Sequence, residues 1–325
     1  KMMKQQVYIY PGSDHVFQAL LDDARNVDGI QIVDSIFSNN SIESKILQTK
    51  SKHKYLWKLF GQQVLKHHVH YANGLKNIKV GSIVVFSNIS VRFLPVSFLK
   101  NLKNQGIKLV VYFIDSISNI NAKEAFRYVK LGIFDAVFTF DKEDAKRYGF
   151  THFYTMYSRH YNFPEADSID YDAVYIGSDK GRYNMLTELK AKCQHANLYI
   201  DMLNISEKQL KDSGFQSNKS IRYVDSLKIV QKSNCIIDLV LDPEQSGLSL
   251  RAYEAIAFNK KLITNNRSIL EFPFYNPKYM FYFKDINGID EDFIKTRMHV
   301  DYGYNDEYSP LSFVQRIREM LSNEK

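Results

Sequence analysis

The chain has 325 residues, enough for two domains of ordinary size and too many for one comfortable core. Apolar residues make up 45% and charged residues 24%, which excludes a disordered or fibrous chain. A net charge of +7 admits nucleic acid, an anionic membrane surface or an anionic small substrate. With the basic residues spread along the chain and no RNP, zinc-finger or Arg-rich segment, nucleic acid is the weakest of the three.

Lys1–Gln6 runs straight into a strand-like Val7–Tyr10 without the apolar region of a signal peptide. No apolar run approaches the ~20 residues of a membrane-spanning helix. The expected location is cytoplasmic, or peripheral at the inner face of the plasma membrane. Further strands are predicted at Ile30–Phe37, Ser82–Ser87, Lys108–Asp115, Ala136–Phe140 and His152–Met156. Helical stretches fall between them at Val16–Asn26, Lys54–Asn73, Pro95–Asn104, Ala122–Leu131 and Lys142–Tyr148. Periodicity is lost over Tyr157–Tyr171, which carries Pro164, and the alternation then restarts. Strands are expected at Ala173–Ser178, Leu198–Ile200, Ile221–Val224, Cys235–Val240 and Lys261–Thr264. The helices are Tyr183–Cys193, Ser226–Ser233, Ser249–Phe258 and a closing Leu311–Leu321. Such alternation predicts an α/β protein of two parallel sheets: residues 1–160, residues 161–308, and a C-terminal helix at 309–325 that packs back on the first domain. Cys193 and Cys235 lie far apart without metal-ligand spacing and read as reduced packing residues.

The most informative segment runs from Asp238 to Asn266. A buried strand enters a loop of small and polar residues, Ser246-Gly247-Leu248, then a helix opened by Ser249 and bearing Arg251 and Glu254. The N–H groups and positive dipole end of such a helix suit a diphosphate. A carboxylate at Glu254 would accept hydrogen bonds from two ribose hydroxyls. The plainer alternative is that Ser249 caps a helix and Glu254 is solvated.

This segment resembles the donor-binding signature of GT-B glycosyltransferases, and more narrowly those of bacterial capsule, exopolysaccharide and lipopolysaccharide biosynthesis. Two further stretches carry the resemblance: Val137–Phe150 ahead of the domain crossing, and Tyr175-Ile176-Gly177-Ser178-Asp179-Lys180-Gly181-Arg182 at the opening of the second domain. The likeness covers roughly residues 108–266. It implies a GT-B fold, two Rossmann-like domains facing across a cleft, and metal-independent transfer from a nucleotide-sugar, with a UDP-sugar as the default. No cofactor is expected. The acceptor would be a growing surface glycan or a polyprenyl-linked precursor. The implied donor-binding set is Gly177, Ser178, Lys180, Arg182, Tyr223, Ser246, Gly247, Leu248, Ser249, Arg251 and Glu254. In that set Lys180, Arg182 and Arg251 would neutralise the departing diphosphate, although the first two also fit an ordinary basic turn and Arg251 an equally bland structural reading.

Retaining members of the fold often carry two glutamates at a set spacing, which Glu244 and Glu254 do not keep. The anomeric outcome therefore stays open. An inverting enzyme needs a base in the first domain, and Asp14 and His15, after the first strand, and Asp115, ending the fourth, are the candidates. Helix capping by Ser13 or Asp14, and by Asp115, explains the same residues without catalysis. His67, His68 and His70 lack a carboxylate to complete a metal site. Lys50, Lys52, Lys54, Lys58 and Lys66, interleaved with Tyr55, Trp57, Leu59 and Phe60, suit anionic lipid or a polyprenyl-linked acceptor, and equally a solvated basic face over a core stripe. Two rivals to a transferase remain: a sugar-nucleotide epimerase of the same architecture and a non-catalytic partner subunit.

Overall fold

A computed structural model describes residues 5–12, 15–33, 41–68, 78–120, 122–160, 166–241 and 247–322. The chain divides into two compact units, one running to Ser158 and resuming at Tyr308, the other Arg159–Glu307.

The first unit runs β1 (Val7–Tyr10), α1 (His15–Leu20), β2 (Ile30–Ile32), α2 (Ser41–Lys52), α3 (Lys54–His68), β3 (Ile83–Ser87), α4 (Asn88–Val91) and α5 (Val96–Asn104). It continues through β4 (Lys108–Phe113), α6 (Lys123–Lys130), β5 (Ala136–Thr139), α7 (Lys142–Tyr148) and β6 (Thr151–His152). The second unit holds β7 (Tyr171–Ser178), α8 (Tyr183–Lys192), β8 (Leu198–Leu203), α9 (Glu207–Ser213), α10 (Tyr223–Gln231) and β9 (Ser233–Asp238). Then come α11 (Leu250–Ala257), β10 (Lys261–Thr264), β11 (Met280–Tyr282) and α12 (Glu291–Lys295). The closing helix α13 (Pro310–Ser322) belongs to the first unit.

Among the described residues every strand pairing is parallel, in the orders β2-β1-β3-β4-β5-β6 and β11-β10-β9-β7-β8. Strands β1, β3 and β9 are buried at every position, as expected of a sheet covered on both faces, and this is why they read as unbroken apolar runs. In a parallel sheet all carboxyl ends share one edge. The chain reverses its direction of winding between β1 and β3 in the first sheet and between β7 and β9 in the second, and such switch points open a crevice at that edge.

Helix α13 is tied to the first core by Phe313, whose ring lies 5.0 Å from Tyr112 and 5.1 Å from Phe138. Its Arg318 donates at 2.8 Å to the carbonyls of Gln5 and Gly29. Cys193 and Cys235 are free, buried thiols, pushed by burial up to about 11 and about 12.

Most elements fall where the periodicity puts them; the strand expected at Ile221–Val224 does not. Helix α10 starts there instead, because the apolar residues that follow, Leu227 and Val230, continue the pattern of Val224 at helical spacing and bury together. Helices α2, α4, α9 and α12 and strand β11 have no counterpart in the sequence reading, being short or polar, and of the strand expected at His152–Met156 only His152 lies in β6. Residues 34–37 of the strand expected at Ile30–Phe37 lie outside the described residues.

Candidate functional site

The second unit gathers a buried polar network at the carboxyl edge of its sheet. Asp238 ends β9 and is only 2% exposed, beside Thr264, its register partner at the end of β10. The Thr264 hydroxyl donates to Asp238 Oδ2 and the Ser249 hydroxyl to Oδ1, both at 2.8 Å. Ser249 caps α11, its Oγ accepting the Arg251 N–H at 3.2 Å. The Asn266 side chain donates to the Gly247 carbonyl at 2.9 Å, while Asn265 closes a two-bond ring with the Val240 backbone at 2.8 and 2.9 Å. The turn from Gly247 to Ser249 is thus held at the first turn of α11 by two buried side chains, Asp238 and Asn266. Short polar residues do this without lengthening the loop.

Arg251 stands on that first turn, its side chain 19% exposed and directed inward. The guanidinium donates to the Ile176 carbonyl at 2.6 Å, lies 4.6 Å from the Tyr175 ring centroid and sits 3.7 Å from Asp238 Oδ1. Burial opposes its charge, but Tyr175, Asp238, Glu254 and Tyr223 outweigh that and hold it above the ordinary arginine value. Gly177 makes this possible, since a Cβ there would come 2.6 Å from Arg251 Nη2. One turn further along α11, Glu254 is buried and accepts the Tyr223 hydroxyl at 2.9 Å. Burial raises its carboxyl above the usual range, against the pull of Arg251 and the Tyr223 hydrogen bond.

The turn after β7 has a different character. Asp179 accepts the Tyr183 N–H at 2.8 Å and opens α8, Lys180 (φ 42°) is exposed, and Arg182 donates from Nε to the Leu239 carbonyl at 2.8 Å. Ser178 receives a longer bond from Arg182, at 3.4 Å to its carbonyl, and Leu248 is half-buried on the α11 turn. Gly177, Ser178, Arg182, Tyr223, Gly247, Leu248, Ser249, Arg251 and Glu254 therefore belong to one edge of one sheet; Ser246 and Glu244 lie outside the described residues.

In the first unit His15 begins α1 and is exposed. Asp115 follows β4, half-buried, and accepts the Asn88 amide at 3.0 Å; Asn88 also accepts the Ile114 N–H at 2.8 Å. Gly12, after β1, is left-handed (φ 75°) against Ser90, where a Cβ would meet Ser90 Cβ at 2.9 Å. Asp14, His70 and the side chains of His67 and His68 lie outside the described residues. Among the described residues no group of three His, Cys, Asp or Glu side chains is placed to hold a metal ion.

Asp238, Thr264, Asn265, Asn266 and Tyr175 were not among the sequence candidates. The available signal was polar residues ending two apolar strands, Asp238 after Cys235-Ile236-Ile237 and Thr264-Asn265-Asn266 after Leu262-Ile263.

No protein-family model and no curated protein matches the sequence. Solved structures do match in fold. HepE of Anabaena, solved with UDP and glucose, has a TM-score of 0.57 at 9% identity, covering 98% of this chain and 100% of that one. A glycosyltransferase of Rickettsia africae has a TM-score of 0.52 at 12% identity over 99% and 100%. A protein of Listeria monocytogenes assigned as a UDP-N-acetylglucosamine 2-epimerase has 0.52 at 8% over 99% and 98%. At such identities the likeness is one of fold: the chain has the α/β architecture of the GT-B proteins, with two Rossmann-like units.

Proposed function

We propose that the chain is a glycosyltransferase that moves a sugar from a nucleotide-sugar to a bacterial surface glycan or its polyprenyl-linked precursor. The observation that carries this reading is the pairing of a pinned helix start with a buried carboxylate on one helix, α11. The Gly247–Ser249 turn offers backbone N–H groups and the positive end of the helix to a diphosphate. Glu254, one turn along, takes the ribose hydroxyls. Arg251 partly offsets the rise that burial imposes on the Glu254 carboxyl, and the exposed Lys180 is available to the phosphates from solvent. The solved complex of HepE with UDP and glucose, of like fold, supports a UDP-sugar as the first donor to test.

During transfer the acceptor oxygen bonds to the anomeric carbon while the bond from that carbon to the diphosphate breaks. The electron pair leaves with the diphosphate, whose growing charge meets N–H groups and a dipole already in place. In an inverting reaction the acceptor proton goes to a base, for which Asp14, His15 and Asp115 are the candidates. Calorimetric titration with UDP, GDP, CMP and dTDP tests the donor half: one of them should bind, and Glu254→Ala should weaken that binding. Unchanged affinity in the variant removes Glu254 from the site.

The likeness to the Listeria protein over nearly the whole chain favours a second reading, epimerisation of the nucleotide-sugar without an acceptor. Incubation with nucleotide-sugars alone separates the two, since only an epimerase returns an isomerised sugar.

A further inference from the structure

Helix α3 is apolar on two opposite faces. The inner one is ordinary: Leu65 is fully buried against Ile46 and Phe93, with Trp57 packed on the same cluster. Gly61 is buried beneath Trp57, so that a Cβ there would lie 2.9 Å from the indole. The outer face carries Tyr55, Leu56, Leu59 and Phe60, which are 82%, 54%, 69% and 56% exposed. Projected at about 100° per residue, these four span an arc of about 140°, a continuous stripe and not scattered single residues. Folding of this chain recovers little of their transfer free energy, so something outside it must, or it is forgone.

The charges around the stripe have one sign. Lys45, Lys52, Lys54, Lys58 and Lys66 are exposed on α2, α3 and their junction, while Lys50 pairs with Glu124 of α6. From Ser44 to Ile114 the sequence holds twelve of the 43 Lys and Arg and none of the 36 Asp and Glu. The remainder of the chain thus has 31 basic against 36 acidic residues, and the whole excess of positive charge resides in this segment.

We propose that the outer face of α3 docks on a membrane surface containing anionic phospholipid. Tyr55, Leu56, Leu59 and Phe60 enter the boundary between headgroups and acyl chains, and the surrounding lysines meet the phosphates. Side chains projecting this far need no shaped partner in a fluid boundary. A second copy of the chain is disfavoured, because a two-fold contact would bring the same lysines face to face. This inference is independent of the donor site.

The test is sedimentation of the purified full chain with phosphatidylcholine vesicles, with and without phosphatidylglycerol. Binding should require the anionic lipid and fall as salt rises. Leu59→Ser with Phe60→Ser should weaken it at least tenfold, and Lys58→Gln or Lys66→Gln roughly fivefold each. Since all four side chains are exposed, the variants should melt with the wild type, which separates lost docking from lost fold. Equal sedimentation of wild type and the double variant overturns the proposal. So does binding to poly-glutamate without vesicle binding, which points to an acidic protein, or self-association abolished by the double variant without vesicle binding, which points to a second copy. None of these outcomes touches nucleotide affinity.

Discussion

The carboxyl edges of the two sheets place their candidate residues differently with respect to buried polar networks. In the second unit a carboxylate, two hydroxyls, two carboxamides and a guanidinium interlock beneath the α11 turn, and Asp238, Thr264, Asn265 and Asn266 are all nearly inaccessible. In the first unit the corresponding edge presents an exposed His15, and an Asp115 held by Asn88 alone among the hydrogen bonds described for it. The candidates of the second edge lie inside its network, whereas those of the first stand at the margin of a network in which Ser87, Asn88 and Ser90 are themselves buried and bonded. Each satisfied buried polar group adds definition to the second edge, and each would cost stability if orphaned.

Substitutions sharpen or break that contrast. The largest effect is expected where a base acts: among His15→Ala, Asp115→Asn and Asp14→Asn, the one that removes it should lower turnover about 10²–10⁴-fold with nucleotide affinity unchanged. If all three retain full turnover, the first edge holds no base among them. Next comes Asp238→Ala, which leaves two hydroxyls without their acceptor and Arg251 without its ion-pair partner. A loss of about 3–5 kcal/mol is expected, seen as a thermal midpoint lower by roughly 10 °C, with nucleotide affinity falling as well. A midpoint unmoved by Asp238→Ala would mean that the network is not a structural unit.

Glu254→Ala should cost about 2 kcal/mol of nucleotide binding, between tenfold and a hundredfold, read by calorimetry. Its pH dependence gives a second handle. Burial raises the Glu254 carboxyl, so above the ordinary glutamate range the folded chain still holds a proton that the unfolded chain has released. Stability therefore declines as pH rises through that window, and Glu254→Gln should flatten this slope. In the proposed role Glu254 accepts from the ribose as a carboxylate, so wild-type affinity should fall on acidification at a higher pH than an ordinary glutamate would give. The smallest effect is expected from Gly177→Ala, whose Cβ would displace the tip of Arg251 from the Ile176 carbonyl. About 1 kcal/mol of stability and a few-fold loss of nucleotide affinity should follow, and no change would mean that Arg251 positions nothing.

The alternation of apolar runs and amphipathic stretches was sufficient to read an α/β chain of two parallel sheets, because strands buried on both faces must be apolar throughout and their crossover helices must be one-sided. The same sequence marked Gly247, Ser249, Arg251 and Glu254 as a group, since a small-residue turn opening a helix is a local pattern. What it left open depends on contacts distant in the chain. Gly177 and Arg251 are 74 positions apart, and only folding reveals that the glycine makes room for the guanidinium. Asp238 and Thr264 meet through strand register, and Ile221–Val224 reads equally as strand or helix until burial of Leu227 and Val230 decides it. On α3 the lysine and aromatic pattern was legible, but the sides were not: Trp57 packs inward and Leu56 faces out. Periodicity records which residues are apolar, whereas packing alone determines what each of them faces.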